Sequence, residues 1–162
     1  MNDGLGKKAE QKIKEWLDRP KDGYSFDRIP DQMSGMFGSS NICDFMLFKS
    51  PNQYYIESKA TYEDRFDFAQ ITDNQRTKLL EKSQIKHVFG LVIVLFATYK
   101  RAFVLNIQDI QKMIDSGKKS INIKKIENWP VQFPEIQTIE NKRKIFLDYA
   151  GEIEDYIKEM QL

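Results

Sequence analysis

An α/β sandwich built on a mixed sheet is the fold class this sequence predicts, and three observations predict it. Residues 88–96 (Val-Phe-Gly-Leu-Val-Ile-Val-Leu-Phe) form an apolar run with no polar face, as expected of a central strand covered on each side. Two shorter strand-like segments, 42–48 and 54–59, flank a turn rich in Ser, Pro and Asn. Helical patterns precede and follow them, an order that layers helices on a sheet rather than sheet on sheet.

Each element has its own local cause. Ile13, Trp16 and Leu17 at i, i+3 and i+4, with charges between them, predict an amphipathic helix over about 5–18, ended by Pro20 and Gly23. A short strand is expected over 24–29, stopped by Pro30. Residues 31–40, with two glycines and three serines, have no period and are expected to form a loop. Thr72-Asp73-Asn74-Gln75 has the form of a capping box, so a helix should run from Asp73 to about Gln84. A further strand suits 101–105 and a short helix 107–116, ended by Gly117. The prolines of 129–134 mark a connection, and a last helix is expected over about 145–160.

Composition bounds the functions available. The 162 residues suit one domain, with a core expected over about 5–116 and a C-terminal extension over about 129–162. The lone cysteine, Cys43, excludes an intramolecular disulfide and a Cys-built zinc site, and the single His87 excludes a histidine cluster. No leader is visible and the longest apolar run is too short to span a bilayer, so a cytoplasmic protein without a membrane partner is expected. The charges are unevenly placed. Residues 148–162 hold five acids and one base, which leaves 24 bases against 19 acids over residues 1–147. That mild basic excess is compatible with a phosphate-bearing partner without requiring one.

One constellation carries chemistry. A hairpin centred on Pro51-Asn52 would pair Ser50 with Gln53, Phe48 with Tyr55, Met46 with Glu57 and Asp44 with Lys59. Side chains alternate along a strand, so Asp44, Glu57 and Lys59 should project from one face, the two carboxylates about 7 Å apart on the diagonal. Two carboxylates so placed can share a divalent cation through oxygen ligands, and hard cations such as Mg²⁺ or Mn²⁺ suit the site. Ile42, Met46 and Phe48 should share that face, where an unpaired carboxylate would be costly. The plainer alternative is a structural Asp44 to Lys59 ion pair with Glu57 facing water.

The sequence Asp44, twelve residues, then Glu57-Ser58-Lys59 resembles the Asp…(Glu/Asp)-x-Lys signature of the PD-(D/E)xK nucleases. The succession of hairpin, capped helix and buried strand is similar to that superfamily's restriction-endonuclease-like core. Within it the chain resembles the Holliday junction resolvases of the RecU and archaeal types. Gly6-Lys7-Lys8-Ala9-Glu10 looks like the Gly-x-x-x-Glu that opens the archaeal enzymes, Arg28-Ile29-Pro30 with Ser34-Gly35 like their strand and Ser-Gly segment, and Phe68-Ala69-Gln70 like a RecU stretch. Cys43 stands where the superfamily commonly has proline, and only residues 30–42 are available for the stalk that RecU enzymes insert into the junction.

The resemblance implies a Mg²⁺-dependent, structure-selective DNA endonuclease acting as a homodimer on four-way junctions. Asp44, Glu57 and the Ser58 backbone carbonyl would hold Mg²⁺ or Mn²⁺, which polarises the phosphate and activates water, while Lys59 stabilises the developing charge. Glu10 would position a second ion or its water shell, and Gln70 would hold a ligand in place. Lys7, Lys8, Arg28 and Ser34 would contact DNA. Two alternatives remain open at this point: a repair or restriction-type nuclease acting on duplex or flap DNA, and a catalytically inactive nuclease-like protein that only binds DNA.

Overall fold

The computed structural model describes residues 4–17, 23–30 and 41–136. The expected loop 31–40, with Met33, Ser34, Met36 and Phe37, and the expected helix 145–160 lie outside the described residues.

A six-stranded mixed sheet forms the centre, in the order β1, β2, β3, β5, β6, β8. Here β1 is Ser25–Arg28, β2 Phe45–Lys49, β3 Asn52–Thr61, β5 Val88–Phe96, β6 Arg101–Asn106 and β8 Glu135–Ile136. Only β3 and β5 run parallel; the other neighbours are antiparallel. A parallel pair needs a crossover, and α2 (Asp73–Ser83) supplies it. A second ladder joins β4 (Arg65–Asp67) to β7 (Ser120–Asn122). Helices α1 (Leu5–Leu17) and α3 (Ile107–Asp115) complete the layers.

The expected central strand is β5, with every residue after Val88 buried. Hydrophobic side chains can be buried on both its faces because α1 packs on one side of the sheet against β3, with Leu95 of β5 beside it, while α2 and α3 cover β5 on the other. Gly90 marks the tightest approach. A Cβ there would lie 2.9 Å from Ile107 Cγ2 and 3.0 Å from both the Leu79 carbonyl oxygen and Ser83 Oγ, so α2 and α3 close on the strand only because that atom is missing. The Gly90 N–H donates to Ser83 Oγ (3.0 Å), which satisfies the backbone at the same point.

Three expectations are corrected, and one ladder is added to them. The hairpin pairs Phe45 with Ile56, Met46 with Tyr55, Leu47 with Tyr54 and Lys49 with Asn52, two residues away from the expected register. The turn is Ser50-Pro51, because Asn52 is held in the ladder region: its side-chain amide donates to Tyr54 Oη (3.2 Å), and its Oδ1 lies 3.2 Å from His87 Nδ1. An even slip keeps every side chain on its face, so the facial argument survives while the partners change. Next, the apolar side of β2 is that of Cys43, Phe45 and Leu47; Met46 is half-buried and Phe48 is 46% exposed. Third, residues 129–134 do more than connect. Trp129 and Phe133 are buried, Trp129 packs edge-on against Phe103 at 4.9 Å, and β8 then pairs with β6, extending the main sheet beyond residue 116. Finally, β4 and β7 form a ladder that the sequence pattern does not announce.

Candidate active site

The Asp44 backbone N–H donates to the Ile56 carbonyl (3.1 Å), continuing the hairpin ladder one step past Phe45 and bringing Asp44 opposite Glu57. The Ser58 N–H donates to Asp44 Oδ2 (2.7 Å), which fixes that carboxylate against β3. Glu57 and Lys59 lie on the β3 face that meets Gln75 of α2, and the Lys59 ammonium meets Glu57 Oε1 at 3.1 Å. Asp44, Glu57 and Lys59 therefore converge as expected, with Glu57 rather than Asp44 as the partner of Lys59. The plainer alternative, Glu57 in water, is overturned: Glu57 is 3% exposed, opposite the fully buried Val92 in the ladder.

Gln75 closes the group. Its Nε2 donates to Glu57 Oε1 (2.8 Å), and its Oε1 accepts from Lys59 Nζ (3.3 Å) and from the Thr72 N–H (3.2 Å). The Gln75 N–H in turn donates to Thr72 Oγ1 (3.2 Å), so the capping box is present in full. The residue that caps α2 is thus the one that braces the two charged side chains of β3. Sequence reasoning assigned the bracing role to Gln70, which lies exposed in a 3₁₀ turn (Phe68–Gln70). The signal for Gln75 was the capping box itself: a side chain turned back over the first turn of a helix also faces whatever strand that turn covers.

Electrostatics at Glu57 follow from this packing. Burial, and after it the negative charge of Asp44, push its carboxyl up to about 7, against the opposing pull of Lys59 and of the hydrogen bonds from Lys59 and Gln75. Both Lys59 and Gln75 act on Oε1. The other oxygen, Oε2, is buried and accepts no hydrogen bond among the described residues. An orphaned carboxylate oxygen beside a second carboxylate is the environment a hard cation satisfies. Among the described residues no group of three or more His, Cys, Asp or Glu side chains gathers, and Asp44 and Glu57 are the two carboxylates at this point. That suits Mg²⁺, which is commonly held by one or two carboxylates together with water and phosphate oxygens. Cys43 takes no part: its thiol donates to the Phe45 carbonyl (3.2 Å) on the opposite side of the chain, and burial pushes it up to about 12.

The remaining expected residues fall elsewhere. Arg28 pairs in the ladder with Phe45, and Phe45 with Ile56, which places Arg28 on the face opposite Glu57. Glu10 meets Arg28 there at 2.9 Å, so the structure joins these two to each other and not to the carboxylate pair. Lys7 lines a cleft of about 330 Å³ beside them, and Lys8 lines a separate cleft against α1. Ser34 lies outside the described residues.

A mixed sheet whose hairpin carries Asp, Glu and Lys at one point, followed by a crossover helix and a buried parallel strand, is the restriction-endonuclease-like fold. The chain is similar in structure to a Holliday junction resolvase, Hjc, of Archaeoglobus fulgidus, with a TM-score of 0.50 and 17% identity over 74% of this chain and 89% of that one. The family model of Recombination protein U, RecU, matches residues 24–155, and the chain belongs to that family. No curated protein matches it. Among the described residues no helix is long and apolar enough to cross a membrane.

Proposed function

We propose that this chain is a divalent-cation-dependent endodeoxyribonuclease that resolves four-way DNA junctions in recombination and repair, working in the cytoplasm as a homodimer. The observation that carries the reading is Glu57 Oε2, buried and without a hydrogen-bond partner among the described residues, in a carboxylate that also feels the charge of Asp44, with Lys59 and Gln75 fixed on the other oxygen. RecU membership and the fold shared with Hjc support the substrate class. Two opposed cuts in a two-fold symmetric junction call for two active sites, which is the argument for a dimer. Residues 1–162 would then act as a single nuclease domain.

The roles divide by chemistry. Asp44, Glu57 and the Ser58 carbonyl would hold Mg²⁺ or Mn²⁺, whose bound form supplies Lewis-acid polarisation of the phosphoryl oxygen and a more acidic water. The Lys59 ammonium, 3.1 Å from Glu57 Oε1, would offer positive charge to the oxygens of the pentavalent transition state. Gln75 holds Glu57 and Lys59 in one arrangement before DNA arrives, which removes the cost of organising them during the reaction. Asp44 takes its orientation from the Ser58 N–H and is the more accessible of the two acids.

The test is cleavage of a synthetic four-way junction and of a linear duplex of the same sequence, at one salt concentration, with Mg²⁺ or with chelator. The proposal expects paired nicks in the junction, little cutting of duplex, and no cutting with chelator or by Asp44→Ala, which still binds. Equal cutting of duplex would make it a general nuclease, and binding without cutting would leave only a DNA-binding protein.

A further inference from the structure

We propose that the cleft between α1 and the C-terminal ends of β3 and β5 is a nucleotide-binding subsite, which takes an unstacked nucleotide of a DNA strand with its base against Tyr62 and its phosphate among Lys8, Lys12 and Lys100. The inference rests on the nuclease reading for its ligand, and on different residues for its site.

The cleft has a volume of about 480 Å³, within the range of small-ligand sites, and Leu5 and Leu95 give it an apolar floor. Among the described residues three lysines line it with one carboxylate, Glu15, a balance that favours an anion. Lys8 and Lys12 are one helical turn apart on α1 and so reach the same side of it, while Lys100 follows the 3₁₀ turn Ala97–Tyr99 in a left-handed conformation (φ 52°). Tyr62 is one of three large hydrophobic side chains exposed among the described residues, at 51%, and the one of the three that lines this cleft. An apolar ring beside lysines is the combination that holds single-stranded nucleic acid, where a base stacks and a phosphate is neutralised.

The ring is exposed but its support is fixed. Thr98 Oγ1 donates to the Tyr62 carbonyl (2.7 Å). Two residues on, the Asp64 carboxylate accepts from Tyr99 Oη and meets Lys124 Nζ at 2.7 Å. Both ends of the Tyr62 segment are therefore tied to the turn that also carries Lys100. A surface aromatic held this way loses little freedom when a base stacks on it. Tyr62 is also the residue after the last of β3, the strand that carries Glu57 and Lys59. Three residue steps separate it from Lys59, roughly 10 Å, so a DNA strand crossing the end of the sheet from Lys59 reaches the cleft within about two nucleotides. The two lie on opposite faces, which is why the nucleotide must leave the stack to enter.

The full-length chain is tested by fluorescence anisotropy with two labelled probes, a four-way junction and a single-stranded oligonucleotide, in chelator, with thymidine 5′-monophosphate as competitor. Tyr62→Ala is expected to weaken both complexes on the order of tenfold and Tyr62→Phe to leave them unchanged, as stacking requires. Lys12→Ala with Lys100→Ala should lower the slope of log affinity against log salt by about 0.7 to 0.9, the contribution of one phosphate. Unchanged affinity and salt slope in these variants, with junction cleavage intact, overturns the subsite and leaves the nuclease reading standing. Tyr62-dependent oligonucleotide binding without any cleavage upholds the subsite and sinks the nuclease reading. Failure of the wild type to bind either probe overturns both. Competition by the monophosphate as tight as by the oligonucleotide would make this a free-nucleotide site and overturn the DNA assignment.

Discussion

Replacing Glu57 by Gln should stabilise the cation-free protein while abolishing its cleavage. The carboxyl sits at about 7 against an ordinary 4.5, with burial and Asp44 raising it and the contributions of Lys59 and Gln75 already opposing them. Between those two values the folded state binds more protons than the unfolded state. Stability therefore falls as pH rises through the window from about 4.5 to about 7 and levels above it. At about 1.4 kcal/mol for each tenfold, the ionised carboxylate costs the fold on the order of 3 kcal/mol at alkaline pH, an upper figure for a buried acid coupled to its neighbours. A glutamine keeps an oxygen for Lys59 and Gln75 without the buried charge. Thermal denaturation in chelator at about pH 8 should then show Glu57→Gln melting higher by roughly 5 to 10 °C, with the difference vanishing near pH 4. Adding Mg²⁺ should raise the wild type and leave the variant where it was. Equal or lower stability of the variant at pH 8, or a difference that does not change with pH, would refute the claim that burial and Asp44 strain this carboxylate.

Other perturbations follow from the same contacts. Thr72→Ala removes one half of the capping box and should cost about 1 kcal/mol in urea denaturation, whereas Gln75→Ala also removes the bond to Glu57 and should cost about 2. In single-turnover assays at saturating Mg²⁺, Gln75→Ala should slow cleavage while Thr72→Ala should not; identical effects on both would make Gln75 a cap and nothing more. Gly90→Ala forces a methyl group against Ile107, the Leu79 carbonyl and Ser83, and should destabilise by about 1 to 3 kcal/mol, read from the denaturation midpoint. No loss there would mean that α2 and α3 can move away from β5. Arg101→Ala breaks the two-bonded pairing with Glu135 (2.6 and 2.8 Å) that pins β8 to β6, and faster hydrogen exchange confined to β8 is expected. Unchanged exchange there would show that the ladder holds without the ion pair.

The parts of this fold that were legible in the sequence are those with a strong local cause. The apolar run of β5, the capping box of α2 and the stop at Gly117 each state their own geometry. The strand face shared by Asp44, Glu57 and Lys59 was legible because parity survives a register slip of two, while the pairing itself was not, since nothing local shows that Asn52 would be held by His87 and Tyr54. Strands β4, β7 and β8, of three, three and two residues, are too short to carry a period. Glu10 was expected near the acids from its place in a motif, but spacing along a helix does not fix which face of the sheet the helix covers; Arg28 takes it instead. Gln75 was visible only as a cap, because its second role depends on where the tertiary fold sets the start of α2. The burial of Glu57 was also hidden, since the cover comes from α2 and not from its neighbours on β2.

Titration calorimetry with Mn²⁺, on the wild type and on Asp44→Ala and Glu57→Gln, tests the carboxylate pair most directly. One cation per chain is predicted for the wild type, its affinity rising with pH through about 7 as Glu57 gives up its proton, and the heat should disappear in both variants. An undiminished Mn²⁺ site in either variant, or none in a wild type that cuts junctions, would contradict the assignment of Asp44 and Glu57 to the cation.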